Sequence, residues 1–165
     1  RMTIYKPTPS DIVTKAFVEH CCDVYQMDHN GYHNFDHWMR VLHSGRLLAG
    51  MESANLSVVE LFCMLHDTQR RNERRDPSHG RRAARYAKSL RGVWFDLSDK
   101  EMELLTEALK HHSDGYTEAD ITVQVCWDAD RLDLGRVGIK PVQPPNYVPF
   151  FNRVSGTGGL MFRAW

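Results

Sequence analysis

Nine histidines stand in a chain of 165 residues, and most of them neighbour carboxylates or one another. Four pieces concentrate them: YHNFDHW (32–38), LHD (65–67), DPSHG (76–80) with KHHSDG (110–115), and WDADRLDLG (127–135). Imidazole and carboxylate are nitrogen and oxygen donors suited to divalent cations, and the same groups move protons near neutral pH. His66 and Asp67 close the apolar run VVELFCML. A carboxylate in that position is costly to bury without a partner, and a bound cation removes the cost. Neighbours on a helix point about 100° apart, so both can reach one ion only if it lies off the helix end. Taken alone, the pair is more often a plain helix terminus, with His near the negative end of the dipole and Asp opening the loop.

Two further features weigh against that plain reading. His37 shares a stripe with Val41 and Leu48, so it is polar where the pattern asks for an apolar side chain. A lone histidine there is ordinarily a hydrogen-bonded core residue. WDADRLD then sets three acids among apolar positions, which by itself would be a surface stripe with Arg131 paired to Asp128 or Asp133. Together with His66 and Asp67 they form a candidate ligand set of His37, His66, Asp67 and one acid of the DAD segment. Residues two apart differ by about 200° around a helix, so Asp128 and Asp130 cannot both face one ion. Periodicity leaves both open, because Val123, Cys126 and Leu134 align with Asp130 while Ile121, Val125 and Leu132 align with Asp128. His33 lies four residues before His37 and shares its face if the helix has begun there; otherwise it packs or caps the turn. Arg70, Arg71, Arg74 and Arg75, then Arg81 and Arg82, follow the His–Asp pair. Guanidinium suits phosphate oxygens. Such a run is usually a solvated loop, but Arg70 or Arg71 is the candidate to reach a substrate phosphate, with Glu73 and Asp76 orienting the loop.

These residues need helices to position them. After a lead-in over 1–10, with Ser10 or Asp11 as a cap, helical spacing runs through Met27 until DHNGYHN breaks it. A second helix begins near Asn34 and carries His37, Val41, Ser44 and Leu48 on one stripe. Asn55 or Ser57 opens a third, strongly apolar and so central. TQRRNERRDPSHG reads as a loop, with Pro77 as first residue of a fourth helix capped by Asp76. Ser98 with Glu101 three residues on is a capping-box pattern for a fifth helix that ends at His111–His112. A sixth spans about 118–134, although Ile121, Thr122, Val123 and Val125 would also suit a strand. Beyond Gly135 the texture turns to Pro141, Pro144, Pro145, Pro149 and SGTGGL, an irregular tail anchored by Tyr147, Phe150, Phe151, Phe162 and Trp165.

Lys and Arg balance Asp and Glu at 21 each. No specific nucleic-acid binding is expected from such a balance, although a local basic patch stands near Arg70–Arg82. Cysteines at 21, 22, 63 and 126 form no CxxC pair, so no disulfide framework or thiolate metal site is expected. No apolar run approaches the roughly 18–20 residues of a membrane span, and a signal-peptide core is not evident. The expectation is a single domain over 1–165, with a core of about 10–138 and a tail of 139–165, located in the cytoplasm and with self-association left open.

The ordered set H…HD…D, with the pair at a helix end and the last Asp in an A-D-R-L context, resembles the HD superfamily of metal-dependent phosphohydrolases. The resemblance covers about residues 30 to 138. HW-x-R-V around His37, HD followed by an Arg-rich loop, DPxHG and DADRLD are similar to a group of small HD proteins. It implies an all-α HD-domain bundle, here of about six helices, and a divalent ion (Fe, Mn, Zn, Co, Ni or Mg) held by His37, His66, Asp67 and Asp130. Asp128 remains the alternative to Asp130. The YHN-x-x-H arrangement is similar to HD phosphodiesterases in which the first His is the acid, here His33, and the second, here His37, binds metal. Extra histidines in some HD families imply a second ion, for which His79, His111 and His112 are candidates, or contact of His79 and His111 with substrate. Hydrolysis of a phosphoester of a nucleotide or other small phosphorylated metabolite is then implied, by metal-activated water with Asp67 able to accept its proton. The rival is a non-hydrolytic metal- or nucleotide-binding regulatory module.

Overall fold

A computed structural model describes residues 9–137, with side-chain surroundings given as far as Gly135. The expected tail lies outside these residues. The described chain is all-helical, with six helices and no named strand. They are α1 (Lys15–Val24), α2 (Phe35–Glu52), α3 (Leu56–Leu65), α4 (His79–Leu90), α5 (Asp99–His111) and α6 (Ile121–Leu132), and a 3₁₀ turn over Asp133–Val137 follows α6.

Local chemistry sets most of the helix starts. The Asn34 side chain accepts from the His37 amide and Asn55 from the Val58 amide, so each satisfies one of the free amides at a helix start. Ser98 and Glu101 make both halves of a capping box. Two starts differ from expectation. The first helix opens at Lys15, capped by Thr14, and ends at Val24. The fourth opens at His79, not Pro77, and Asp76 does not cap it. The Asp76 carboxylate instead takes the Arg71 amide at 2.7 Å and the Arg82 guanidinium at 2.5 Å. The β-branched start of α6 is helical, capped by Asp120, because Val123 and Val125 are fully buried in the core where packing outweighs propensity.

α3 is central, with Val58 to Leu65 all buried. α2 and α6 pack together on it, and α4 and α5 pair beside it. Close approaches need glycine. A Cβ on Gly45 of α2 would lie 2.9 Å from both Cys63 Sγ and Val59 Cγ1 on α3. One on Gly80 would lie 2.5 Å from the Leu109 carbonyl of α5. This packing brings the C-terminal end of α3 beside the first turns of α2 and α4, the end of α5 and the last turn of α6. His33, His37, His66, Asp67, His79, His112 and Asp130 sit at that junction.

Candidate metal centre

Asp67 is the hub. It follows α3, is 2% exposed, and its two oxygens face different sets of histidines. Oδ2 lies 3.4 Å from His37 Nε2 and 3.4 Å from His66 Nε2. Oδ1 lies 3.3 Å from His79 Nε2 and 3.8 Å from His112 Nε2. Asp130 Oδ1 closes the first group at 3.3 Å from His37 Nε2 and 3.5 Å from His66 Nε2. His33 Nδ1 sits 2.8 Å from Asp67 Oδ2, and Arg70 Nε donates to Oδ1 at 2.9 Å. Three sets of donor atoms are close enough to share an ion: His33, His37 and Asp67; His37, His66 and Asp130; Asp67, His79 and His112.

The imidazole tautomers follow from their outer partners. The Nδ1 atoms of His66, His79 and His112 each face a backbone carbonyl, of Cys63, Asp76 and Leu109 respectively, at 3.0, 2.5 and 2.8 Å. A carbonyl only accepts, so Nδ1 carries the proton in all three rings. His37 Nδ1 donates to Asp133 Oδ2 at 2.6 Å, and Arg40 Nε donates to the other oxygen of that carboxylate at 2.9 Å. The four Nε2 atoms are thereby turned inward. They lie in opposed pairs, His37 with His66 at 3.0 Å and His79 with His112 at 2.7 Å. Two lone pairs at that separation repel unless a proton or a metal ion stands between them. Backbone carbonyls or a carboxylate behind each imidazole are also the outer partners that orient metal-ligating histidines. The donor set therefore fits a divalent ion, and these buried clusters could hold one.

The electrostatics agree. Burial works against charge on Asp67, yet His66 beside it and contacts to His112, His33 and His37 hold its carboxyl well below the usual range. Asp130 is likewise held well below it against burial, by His66 and by contact with His37. Both carboxylates are ionised. Burial disfavours a charged His37, but contacts to Asp130, Asp133 and Asp67 outweigh it and raise the ring to about 10. The carboxylates of the cluster favour positive charge among the rings, whether a proton on His37 or a bound ion. Cys63 and Cys126 lie nearby as protonated thiols, since burial pushes both well above their ordinary value.

A cavity of about 320 Å³ opens onto the cluster, lined by His33, His37, Asp67, Arg70, His112 and Asp130 and closed at the side by Arg131 and Leu134. Three sequence candidates are not brought to it. Asp128 is buried away from the ligands, with Oδ1 3.6 Å from Arg131 and Oδ2 without a hydrogen-bond partner. His111 bonds Asp114 at 2.7 Å on the outer side of α5, and His112 takes the inward place. Arg71 is exposed and meets Asp76 through its backbone amide. Sequence reasoning did not find Asp133 as the partner of His37, although DADRLD contained it. The signal was spacing, because Asp133 is three residues beyond Asp130 and so one turn further along the same face. Compared with known proteins, the chain matches no family model, no curated protein and no solved structure.

Proposed function

We propose that this chain is a divalent-metal-dependent phosphohydrolase that cleaves a phosphoester of a nucleotide or another small phosphorylated metabolite. One observation carries the reading. Four inward Nε2 atoms converge on the two oxygens of Asp67 at the floor of a cavity that arginine also lines. His37, His66, Asp67 and Asp130 would hold one ion, and Asp67, His79 and His112 could hold a second. Mixed nitrogen and oxygen ligands without thiolate suit Mn, Fe, Co, Ni or Zn, with Mg the harder alternative. Such an ion supplies Lewis acidity toward phosphoryl oxygens and a water acidic enough to ionise near neutral pH.

The protein's own groups then divide the work. Arg70 is fixed by Asp67 and by the Asn72 carbonyl at 3.1 Å, which leaves one terminal nitrogen for a phosphate oxygen. Arg131 lines the same cavity and adds positive charge. His33 keeps its Nδ1 on Asp67, and its side chain is 18% exposed, so the ring borders solvent and substrate. With Nδ1–H donated to Asp67, Nε2 is the atom that delivers a proton to the departing oxygen, a role worth about 10²–10⁴-fold in rate. Asp67 orients that ring.

The test loads stripped protein with Mn, Co, Ni, Zn or Mg and measures release of phosphate or nitrophenol from nitrophenyl phosphoesters and a nucleotide panel. Turnover should vanish on chelation and in Asp67→Ala. His33→Ala should slow turnover about 10²–10⁴-fold while metal content stays the same. No turnover with any metal on any phosphoester, in protein that still binds metal, would sink the hydrolase and leave a metal-binding regulatory module.

A further inference from the structure

Two groups close to Asp67 and Arg70 play no part in the chemistry above. Glu73 is only partly buried as a residue, yet both of its carboxylate oxygens are shielded from solvent and find no hydrogen-bond partner among the described residues. The hydroxyl of Tyr25, a residue 4% exposed, is in the same position. The two are neighbours: burial pushes the Tyr25 hydroxyl up, and the Glu73 carboxylate pushes it further, ahead of Asp67. The hydroxyl faces that carboxylate without closing a hydrogen bond of normal geometry. A buried acceptor left without a donor is costly, so a carboxylate kept in such a place calls for a reason. Asp76, the other acid of this loop, has its partners in the Arg71 amide and Arg82.

Glu73 bears on backbone. A Cβ on Gly31 would lie 2.2 Å from Glu73 Oε1 and 2.8 Å from its carboxyl carbon. Gly31 is not in the left-handed region, which among the described glycines holds Gly92 and Gly115. Its lack of a side chain therefore answers to the space that Glu73 occupies and not to a backbone angle. Gly31 stands two residues before His33, in the turn that precedes α2, so no helix holds the backbone of His33. On the other side, Asn72 fixes the turn that presents Glu73: its carbonyl accepts from Arg70 at 3.1 Å and its side chain from the Arg74 amide at 2.8 Å. Arg70 and His33 each bond Asp67, at 2.9 and 2.8 Å. The contact of Glu73 with Gly31 thus closes a ring that starts and ends at Asp67 and holds two cavity-lining groups, Arg70 and His33.

We propose that Glu73 is a positioning residue for His33: its carboxylate, seated on Gly31, sets how the turn carrying His33 stands against Asp67 and the cavity. Such a seat matters because a reacting group misplaced by about 1 Å can cost about a hundredfold in rate. The oxygens of Glu73 go without donors because they bear on the Gly31 backbone, and Gly31 goes without a side chain because a methyl would take their place. What His33 does once positioned rests on the phosphohydrolase reading. The seat itself follows from the packing of the two loops.

The experiment pairs a spectrum with a double-mutant cycle. Proton–nitrogen correlation spectra of the imidazole rings, recorded on the full chain with zinc and with chelator, identify His33 by its loss in His33→Ala. Glu73→Ala should shift and broaden the His33 resonances and leave in place those of His111, which bonds Asp114 on the outer side of α5. Glu73→Gln, equal in length and shape, should leave both in place. Gly31→Ala should disturb His33 as Glu73→Ala does, and should add little to Glu73→Ala, because the methyl then enters the space that the carboxylate left. In turnover of metal-loaded protein, Glu73→Ala should lower kcat about 10–100-fold with metal content and KM unchanged. Once His33 is already alanine, the same change should cost less than about twofold, since Glu73 acts through that ring. His33 resonances unmoved in Glu73→Ala, a disturbance in Glu73→Gln equal to that in Glu73→Ala, or an equal cost of Glu73→Ala with and without His33 would each overturn the proposal. The spectra need no hydrolysis. A chain that turns over no phosphoester can still show Glu73 seating His33, and an active chain whose His33 ignores Glu73 loses the seat while keeping the phosphohydrolase reading.

Discussion

At the scale of single residues, the choice between Asp128 and Asp130 shows what a sequence can and cannot reveal. Both aspartates project from a helix that is buried on more than one face, so apolar periodicity supports either. Burial even points the wrong way, since Asp128 is 2% exposed while the Asp130 side chain is 21% exposed at the cavity. What separates them is the neighbour each meets, His37 and His66 or Arg131, and that depends on how α6 is rotated against α2 and α3. The distinction between His111 and His112 was closer to legible. His112 continues the buried stripe of Leu105, Ala108 and Leu109 at helical spacing, whereas His111 falls beside it. Metal content tests these assignments directly. Asp130→Ala and His112→Ala should each lower bound metal in protein dialysed against Mn or Zn, with affinity falling at least tenfold. Asp128→Asn and His111→Ala should retain it, as read by elemental analysis and calorimetry. Loss of metal in Asp128→Asn with retention in Asp130→Ala would reverse the ligand assignment.

At the scale of elements, helix identity was largely readable because caps and apolar runs act locally: Asn34, Asn55 and the Ser98–Glu101 box each begin the helix that their chemistry favours. The start of α4 was not readable, because Asp76, which could cap or pair with the loop's arginines, is drawn into a bond with Arg82 and does not cap. Asn55 also does more than cap. Its amide donates to Glu101 at 2.9 Å, and its backbone N–H donates to Thr122 Oγ1 at 3.0 Å, so it ties the starts of α3, α5 and α6 together. The bond from Asn55, helped by the Ser98 amide, lowers the Glu101 carboxyl below its ordinary value. An acid lowered on folding adds stability that is present above its unfolded pKa and is lost as pH falls through the folded one. Glu101→Gln should therefore lower the melting temperature at pH 7, and the difference should shrink as pH falls through the lowered folded pKa. A difference that persists unchanged at low pH would show that charge is not the source. Ser98→Ala removes the other half of the box and should cost about 1 kcal/mol in denaturant unfolding. Gly80 makes a sharper demand, since α4 approaches the end of α5 over it. Gly80→Ala places a methyl against the Leu109 carbonyl and should cost about 1–3 kcal/mol. Because His79 and His112 face each other across that contact, it should also weaken metal binding more than Ser98→Ala does.

At the scale of the molecule, the cluster is the place where five helices are joined by charge, not by apolar contact. The first turn of α2, the ends of α3 and α5, the start of α4 and the last turn of α6 each supply a donor. The opposed pairs His37–His66 and His79–His112 each need a proton or an ion between their Nε2 atoms, while the apolar core around Phe62, Leu65, Leu105 and Trp127 holds the helices in place. That core could not reveal where the cluster would form, since the sequence separations from His37 to Asp130 are bridged only by the packing of α2 on α6. An ion that binds the folded state alone stabilises it by mass action, about 2.7 kcal/mol at a hundredfold excess over its dissociation constant. The melting temperature should therefore rise with free Mn or Zn and fall on chelation, with a shift that grows with the logarithm of metal concentration. In Asp67→Asn the hub keeps its size but loses its charge and half its acceptor capacity. That variant should melt at nearly the same temperature with and without metal. If its metal-dependent shift equals that of the unaltered chain, the ion is bound elsewhere, and the convergence on Asp67 is a hydrogen-bonded core cluster instead of a metal centre.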